Sequence, residues 1–323
     1  MASKYEMFDI SRVRLESIAR REHLTRLADL LALGEAPEPF SHPALGVLAE
    51  RMLAARAAGS AVVMMMGAHV IKEGLSRYVI DLLRRGVVDV LALNGAGVIH
   101  DFELALVGAT SEDVAKYIKV GQFGLWAETG RINDIVASAA AEGLGLGEAV
   151  GRAILRGDFP HRQVSILAAG YELSVPVTVH VGIGYDIIHA HPNFDAAAVG
   201  AASGRDFLIF ARHIENLEGG VLLCFGSAVM GPEVYLKALS MARNVARQQG
   251  REIRHFTTAV FDLVSLPDDL SRTPPKSEPA YYYRPLKTIL IRTVADGGES
   301  FYVRGGHRAT IPALHREIVA RMG

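Results

Sequence analysis

The chain is short of cysteine, of long apolar runs and of any excess of one charge, and each shortage removes a class of protein. One cysteine stands among 323 residues, so no intrachain disulfide can form and a scaffold held together by cross-links is excluded. That residue, Cys224, lies inside an apolar run and reads as a small buried hydrophobe. No apolar stretch approaches the ~20 residues that span a bilayer. The opening MASKYEMFDISRVRLESIARREHL carries charges throughout, where a signal peptide would carry an apolar core. The expectation is a cytoplasmic protein with no membrane partner. With 34 basic and 35 acidic side chains the net charge is −1, so no global field draws the chain to nucleic acid. Also absent is GxGxxG with an acid about twenty residues beyond it, the common dinucleotide fingerprint.

What the chain has is apolar content, 50% of its residues, enough to bury a large core. The most informative stretch is VVMMMGAHVIKEGLSRYVIDLLRRGVVDVLALNGAGVIHD, residues 62–101. An apolar run ends at Gly67, a helical pattern covers 70–85, and a second apolar run (87–93) breaks into Asn94-Gly95-Ala96-Gly97. This is a βαβ unit whose strands both close on glycine, at the sheet edge where open α/β folds bind ligands. Further strands are expected at 175–179, 220–225, 258–263 and 288–293, and helices at 133–142, 146–156 and 196–214. Residues 101–107 and 111–117 suggest shorter helices. Such alternation gives an α/β fold with a doubly wound, mostly parallel sheet and helices on both faces. Ahead of it, 10–33 and 45–58 show helical spacing. The chain therefore divides into a helical amino-terminal extension, 1–59, and an α/β domain, 60–323.

Glycine-rich strand ends recur at Gly182, Gly184 and at Gly226-Ser227, so four clusters converge at the carboxyl edge. Two other groups of residues bear on chemistry. In VHVGIGYDIIHAHPNFD, Asp186 lies among His180, His189 and His191; one reading faces Asp186 to substrate, and another recruits the imidazoles as metal ligands of a hydrolase. In EPAYYYRPLK, Lys287 follows three tyrosines and Glu278. An amine in a partly dry pocket can lose its proton and act as a nucleophile toward imines.

The stretches GAHVIKEGLSRYVIDLLRRGVVDVLALNGAGVIHDFELALVG, GIGYDIIHAHPNFDAAAVG and GGVLLCFGSAVMGPEVYLKAL make the chain resemble the deoxyhypusine synthase family, from about residue 60 onward. The resemblance implies a Rossmann-like sheet, a homotetramer with active sites at subunit interfaces, and bound NAD. It implies aminobutyl transfer: NAD takes hydride from spermidine, a lysine holds the four-carbon fragment as an imine, and an acceptor amine receives it. The acceptor is a translation-factor lysine in the name-giving enzymes and putrescine in homospermidine synthases. On this basis Lys287 is the catalytic lysine, and Asp186 contacts the amine, with Glu233, Glu278 and His180 as further substrate contacts. Gly67, Asn94, Gly95, Ala96, Gly97, Asp101, Gly182, Gly184, Gly226 and Ser227 hold the cofactor, and no metal is called for. The chain departs from the family at Val181, at Gly231-Pro232-Glu233, at TPPKSEPAYYYRPLK and at Gly305-Gly306-His307. These changes point to a divergent member acting on a small amine, with a protein acceptor less favoured. A noncatalytic NAD-binding protein is the remaining alternative.

Overall fold

The computed structural model describes residues 3–37, 39–267, 269–270 and 272–323. Six strands form the central sheet: β1 Val62–Met66, β2 Val90–Asn94, β3 Val177–His180, β4 Val221–Phe225, β5 Thr257–Asp262 and β6 Glu299–Arg304. They lie in the order β3-β2-β1-β4-β5-β6, every neighbour parallel. This is the 3-2-1-4-5-6 order of dinucleotide-binding Rossmann folds, in which the winding reverses between β1 and β4. The expected α/β class is what the structure has.

Because successive strand residues face opposite ways, the strands feed two cores. Val62, Met64, Met66, Leu91, Leu93, Leu223 and Phe225 belong to one, and Val63, Met65, Val90, Ala92, Leu222, Cys224 and Val260 to the other. The first core is covered by α1 Pro43–Ala58, α2 Ser76–Arg84, α3 Gly95–Val107, α4 Arg131–Glu142, α5 Leu146–Arg156, α6 Ile166–Leu173 and α9 His307–Met322. The second is covered by α7 Ala196–Ile214, α8 Met230–Gln248 and a wide-turn helix, Leu286–Arg292. Both faces being buried explains why the strands read as continuous apolar runs. No helix among the described residues is long and apolar enough to cross a membrane.

Three expectations are corrected. The 10–33 segment is not a continuous helix but a set of short turns, Ile10–Arg12, Ile18–Arg20 and Leu27–Asp29, with Thr25–Arg26 paired antiparallel to Ala109–Thr110. Its backbone N–H groups go outward, Leu24 to Ser111 O and Leu27 to Gly108 O, so tertiary pairing overrides helical spacing. The 70–85 helix is broken: Gly74 has φ +80, and a Cβ there would lie 2.4 Å from Asp29 O. The single turn His69–Lys72 precedes the break and α2 follows it. The run at 288–293 is helical rather than extended. Leu286, Ile289 and Leu290 enter the second core at helical spacing, and the Thr293 hydroxyl donates to Thr288 O at 2.9 Å. The sixth strand instead comes from Glu299–Arg304, a mixed polar and aromatic sequence on the sheet edge.

Candidate functional site

Strand register sets the geometry of the carboxyl edge. Met66 lies opposite both Leu93 and Phe225, which brings Gly67 and Gly226 together where the winding reverses. Gly67 N donates to Phe225 O at 2.9 Å and Gly226 N to Phe261 O at 3.0 Å. A Cβ on Gly67 would stand 2.5 Å from Gly226 O, and one on Gly226, whose φ is +57, would stand 2.5 Å from His307 Nε2. Both positions thus require glycine. His307 opens α9, its ring edge-on to Phe225 at 6.2 Å between centroids. Its Nδ1 is buried without a partner, and burial holds the imidazole below its ordinary pKa. No side chain caps the amino end of α9, where Gly306 is the N-cap.

The neighbouring polar groups are already engaged. Ser227 Oγ accepts from Gly231 N at 2.9 Å, bracing the start of α8. Asp262 accepts from Leu263 N at 2.7 Å and from the Tyr283 hydroxyl at 2.5 Å. Burial, together with that carboxylate, raises the Tyr283 pKa.

At the end of β2, Asn94 Oδ1 accepts from Gly97 N at 3.0 Å and so caps α3. Asp186 lies against Gly95, where a Cβ would be 1.9 Å from its Oδ2, and takes the Ala96 N–H. Burial lifts the Asp186 pKa to about 6. A carboxylate of this chain therefore occupies the helix end that would otherwise attract a phosphate. Asp101, read as a cofactor contact, turns inward and is 0% exposed. It accepts from Ser165 Oγ at 2.5 Å, Ile166 N at 2.7 Å and Leu167 N at 3.2 Å, fixing the start of α6. Gly182 and Gly184 belong to a turn in which Tyr185 N donates to Gly182 O at 3.0 Å. That turn follows β3, two strands away from β1.

The histidines are separated. His180 Nε2 lies 3.1 Å from Thr178 Oγ1, its ring edge-on to Phe210, and burial lowers its pKa to about 4. His189 Nδ1 accepts from Gly184 N and Asp186 N at 3.1 and 3.2 Å. His191 Nε2 meets Gly124 O at 2.7 Å. Among the described residues no group of three or more His, Cys, Asp or Glu side chains is placed to hold a metal ion.

Lys287 is buried on the second face, its Nζ 3.9 Å from the centroid of the Tyr281 ring and 6.0 Å from that of Tyr282. Glu233 is engaged by Lys237 and, at 3.2 Å, by Arg284. The Lys237 hydrogen bond and the two cations hold its carboxyl below the usual range. Glu278 is exposed at the start of the turn Pro279–Tyr282. Of the three acids expected to bind an amine, only Asp186 is a buried carboxylate free of a cation. Lys287 and Asp186 are not brought together in one chain: Leu286 and Ile289 enter the second core, whereas Ile187 and Ile188 pack on the first.

Sequence reading missed Arg21 and Glu103, which form a two-pronged pair at 2.9 and 2.6 Å, each side chain 1% exposed. Thr110 and Thr129 also donate to Glu103. The available signal was an acid on the apolar stripe of α3; nothing in the sequence marked Arg21 as its partner.

No family model matches the chain and no curated protein matches it. Solved structures do. ArgZ, an arginine dihydrolase from the ornithine-ammonia cycle in cyanobacteria, superposes with a TM-score of 0.52 at 15% identity, over 87% of this chain and 33% of its own. AgrE, in a ternary complex with ornithine and NAD+, gives 0.50 at 15% identity over 88% of this chain and 34% of its own. A conserved candidate LOR/SDH protein from Methanococcus maripaludis S2 gives 0.52 at 12% identity, covering 91% of this chain and 74% of its own. The chain thus spans about a third of the length of ArgZ and AgrE. A candidate deoxyhypusine synthase from Entamoeba histolytica also aligns, at 7% identity and a TM-score of 0.41, too loosely to bear on the argument. What these proteins share with the chain is a fold; membership of the deoxyhypusine synthase family is not among the things the comparisons show.

Proposed function

We propose that this chain is an NAD-dependent enzyme of amine metabolism, a divergent relative of deoxyhypusine synthase that transfers an aminoalkyl group of a polyamine or related amine through an imine on Lys287. The observation that carries the reading is the reversal of winding between β1 and β4, where Gly67 and Gly226 let the two strand ends and the His307 ring pack closely and His307 Nδ1 is left without a partner. Ligands of open α/β sheets lie at such a crevice. The neighbour solved with ornithine and NAD+ supports both the cofactor and the amine chemistry.

These residues suit a dinucleotide. Gly306 leaves open space where a Cβ would stand, the uncapped first N–H groups of α9 suit a phosphate, and His307 Nδ1 supplies a polar contact. NAD, when bound, supplies a hydride acceptor. The covalent work falls to Lys287. Its amine rests against the Tyr281 ring and adds to the carbon of the oxidised amine as the original amine leaves. One chain keeps Lys287 and Asp186 on opposite faces, which supports a reading in which the reaction runs where subunits of a homotetramer meet. A small-amine acceptor is favoured over a protein, because Glu233 is neutralised by Lys237 and Arg284.

Borohydride added with NAD and spermidine or putrescine tests the lysine. The expected result is a mass adduct on a peptide containing Lys287 that is lost in Lys287→Ala. An adduct mapped to another residue, or none with any amine tried, contradicts the assignment.

A further inference from the structure

Between the amino-terminal segment and α3 lies a cavity of about 250 Å³ lined by Lys72, His100, Glu112, Phe123 and Asp186 among others. It is smaller than the ~300–1,000 Å³ of drug-sized pockets and suits a metabolite of amino-acid size. Arg21 and Glu103 also reach its wall, but they satisfy each other.

The hydrogen bonds fix one polar group facing this space. The Thr110 hydroxyl donates to Glu103 Oε2 at 2.6 Å, so toward His100 Nδ1, 2.8 Å away, it can only accept. His100 therefore carries its proton on Nδ1 and keeps a lone pair on Nε2, which has no partner among the described residues. Burial keeps the ring neutral, its pKa lowered to about 4.

The charges do not balance. Glu112 is buried and accepts only from Gly124 N at 3.1 Å and Trp126 Nε1 at 3.0 Å, all neutral donors. Asp186 takes the Ala96 N–H, and the His189 Nε2 stands 3.9 Å off on a ring whose pKa burial lowers. Lys72 has no ion-pair partner among the described residues. Two carboxylates and one ammonium thus face the cavity, a net deficit of one positive charge in surroundings where an unpaired charge is costly.

We propose that this cavity binds a small diamino acid, with its two ammonium groups on Asp186 and Glu112, its carboxylate on Lys72, and His100 Nε2 accepting from one ammonium. Such a ligand matches the wall in both the number and the sign of its charges, and its net charge of +1 cancels the deficit. The turn His69–Lys72 runs directly from Gly67 at the crevice to Lys72, which sets the cavity beside the proposed cofactor. The assignment rests on the amine-enzyme reading for its standing as a substrate site. Binding itself requires no cofactor.

Isothermal titration of the full chain without added NAD, using lysine, ornithine, putrescine and norleucine, tests it. The two diamino acids bind, while putrescine, lacking the carboxylate, and norleucine, lacking the second amine, bind at least about tenfold more weakly, the loss expected for a charge-assisted contact. Glu112→Gln, which keeps the side chain's shape and removes its charge, weakens lysine and ornithine at least about tenfold. Lys72→Met, at a half-buried position on a single turn, removes the preference over putrescine and reports even if the Glu112 variant fails to fold. No binding of either diamino acid, equal binding of putrescine by the unaltered protein, or indifference to both substitutions overturns the proposal. If NAD binds while the diamino acids do not, this proposal alone falls. If they bind while NAD does not, it stands and the NAD-dependent transferase reading falls.

Discussion

Asp186 shows how one side chain decides what a helix end can do. Sequence places it near the substrate, and the structure adds that it already lies against Gly95 at the start of α3. Gly95→Ala would set a methyl group 1.9 Å from its Oδ2, and the resulting overpacking is expected to cost about 1–3 kcal/mol. An unchanged denaturation midpoint would contradict that contact. A second residue-scale prediction concerns Asp206, whose carboxylate takes the N–H groups of Gly147 and Val179 and whose pKa burial raises from 3.8 to about 7. A carboxyl raised on folding holds its proton more tightly when folded. Its contribution is therefore complete below its unfolded value and is lost as the pH rises through about 7. The stability advantage of the unaltered protein over Asp206→Asn should accordingly grow as the pH falls from 8 to 5, and a difference independent of pH would refute it. Residue types alone could not show which acids are spent. Asp101 and Glu233 look as available in the sequence as Asp186 does, and only their partners, the start of α6 for one and Lys237 with Arg284 for the other, tell them apart.

Among the elements, α5, predicted at 146–156, and α7, predicted at 196–214, have the bounds the periodicity gives. Both carry an apolar stripe ended by local signals. The amino-terminal segment does not, because its conformation depends on residues far along the chain: Arg21 is drawn to Glu103, and Glu16 bridges to Trp126. Arg21→Ala would leave Glu103 buried without its cation, an expected loss of about 3–5 kcal/mol, whereas replacing both members by apolar residues should recover much of it. Chemical denaturation of the two variants checks this, and equal stability of Arg21→Ala and the unaltered protein would remove the segment from the folding unit. The run at 286–292 was legible as buried but not as helical. Its β-branched residues satisfy a strand pattern as well as a helical one, and the choice is made by packing against α8 and β5.

For the molecule as a whole, alternation of strands and helices made the doubly wound sheet readable, since buried parallel strands leave continuous apolar runs. Strand order is not written in any local pattern, and β6, at an edge with few fully buried positions, gave almost no signal. The order matters most for function, because it brings Gly67 and Gly226 together and leaves the start of α9 open. This crevice is the proposed seat of NAD. Thermal unfolding of the purified chain with and without millimolar NAD tests it most directly. A cofactor present at a hundred times its dissociation constant contributes about 2.7 kcal/mol, so the melting temperature should rise with NAD concentration, and His307→Ala should blunt the rise. A melting curve that does not move at millimolar NAD would rule out this seat for the cofactor.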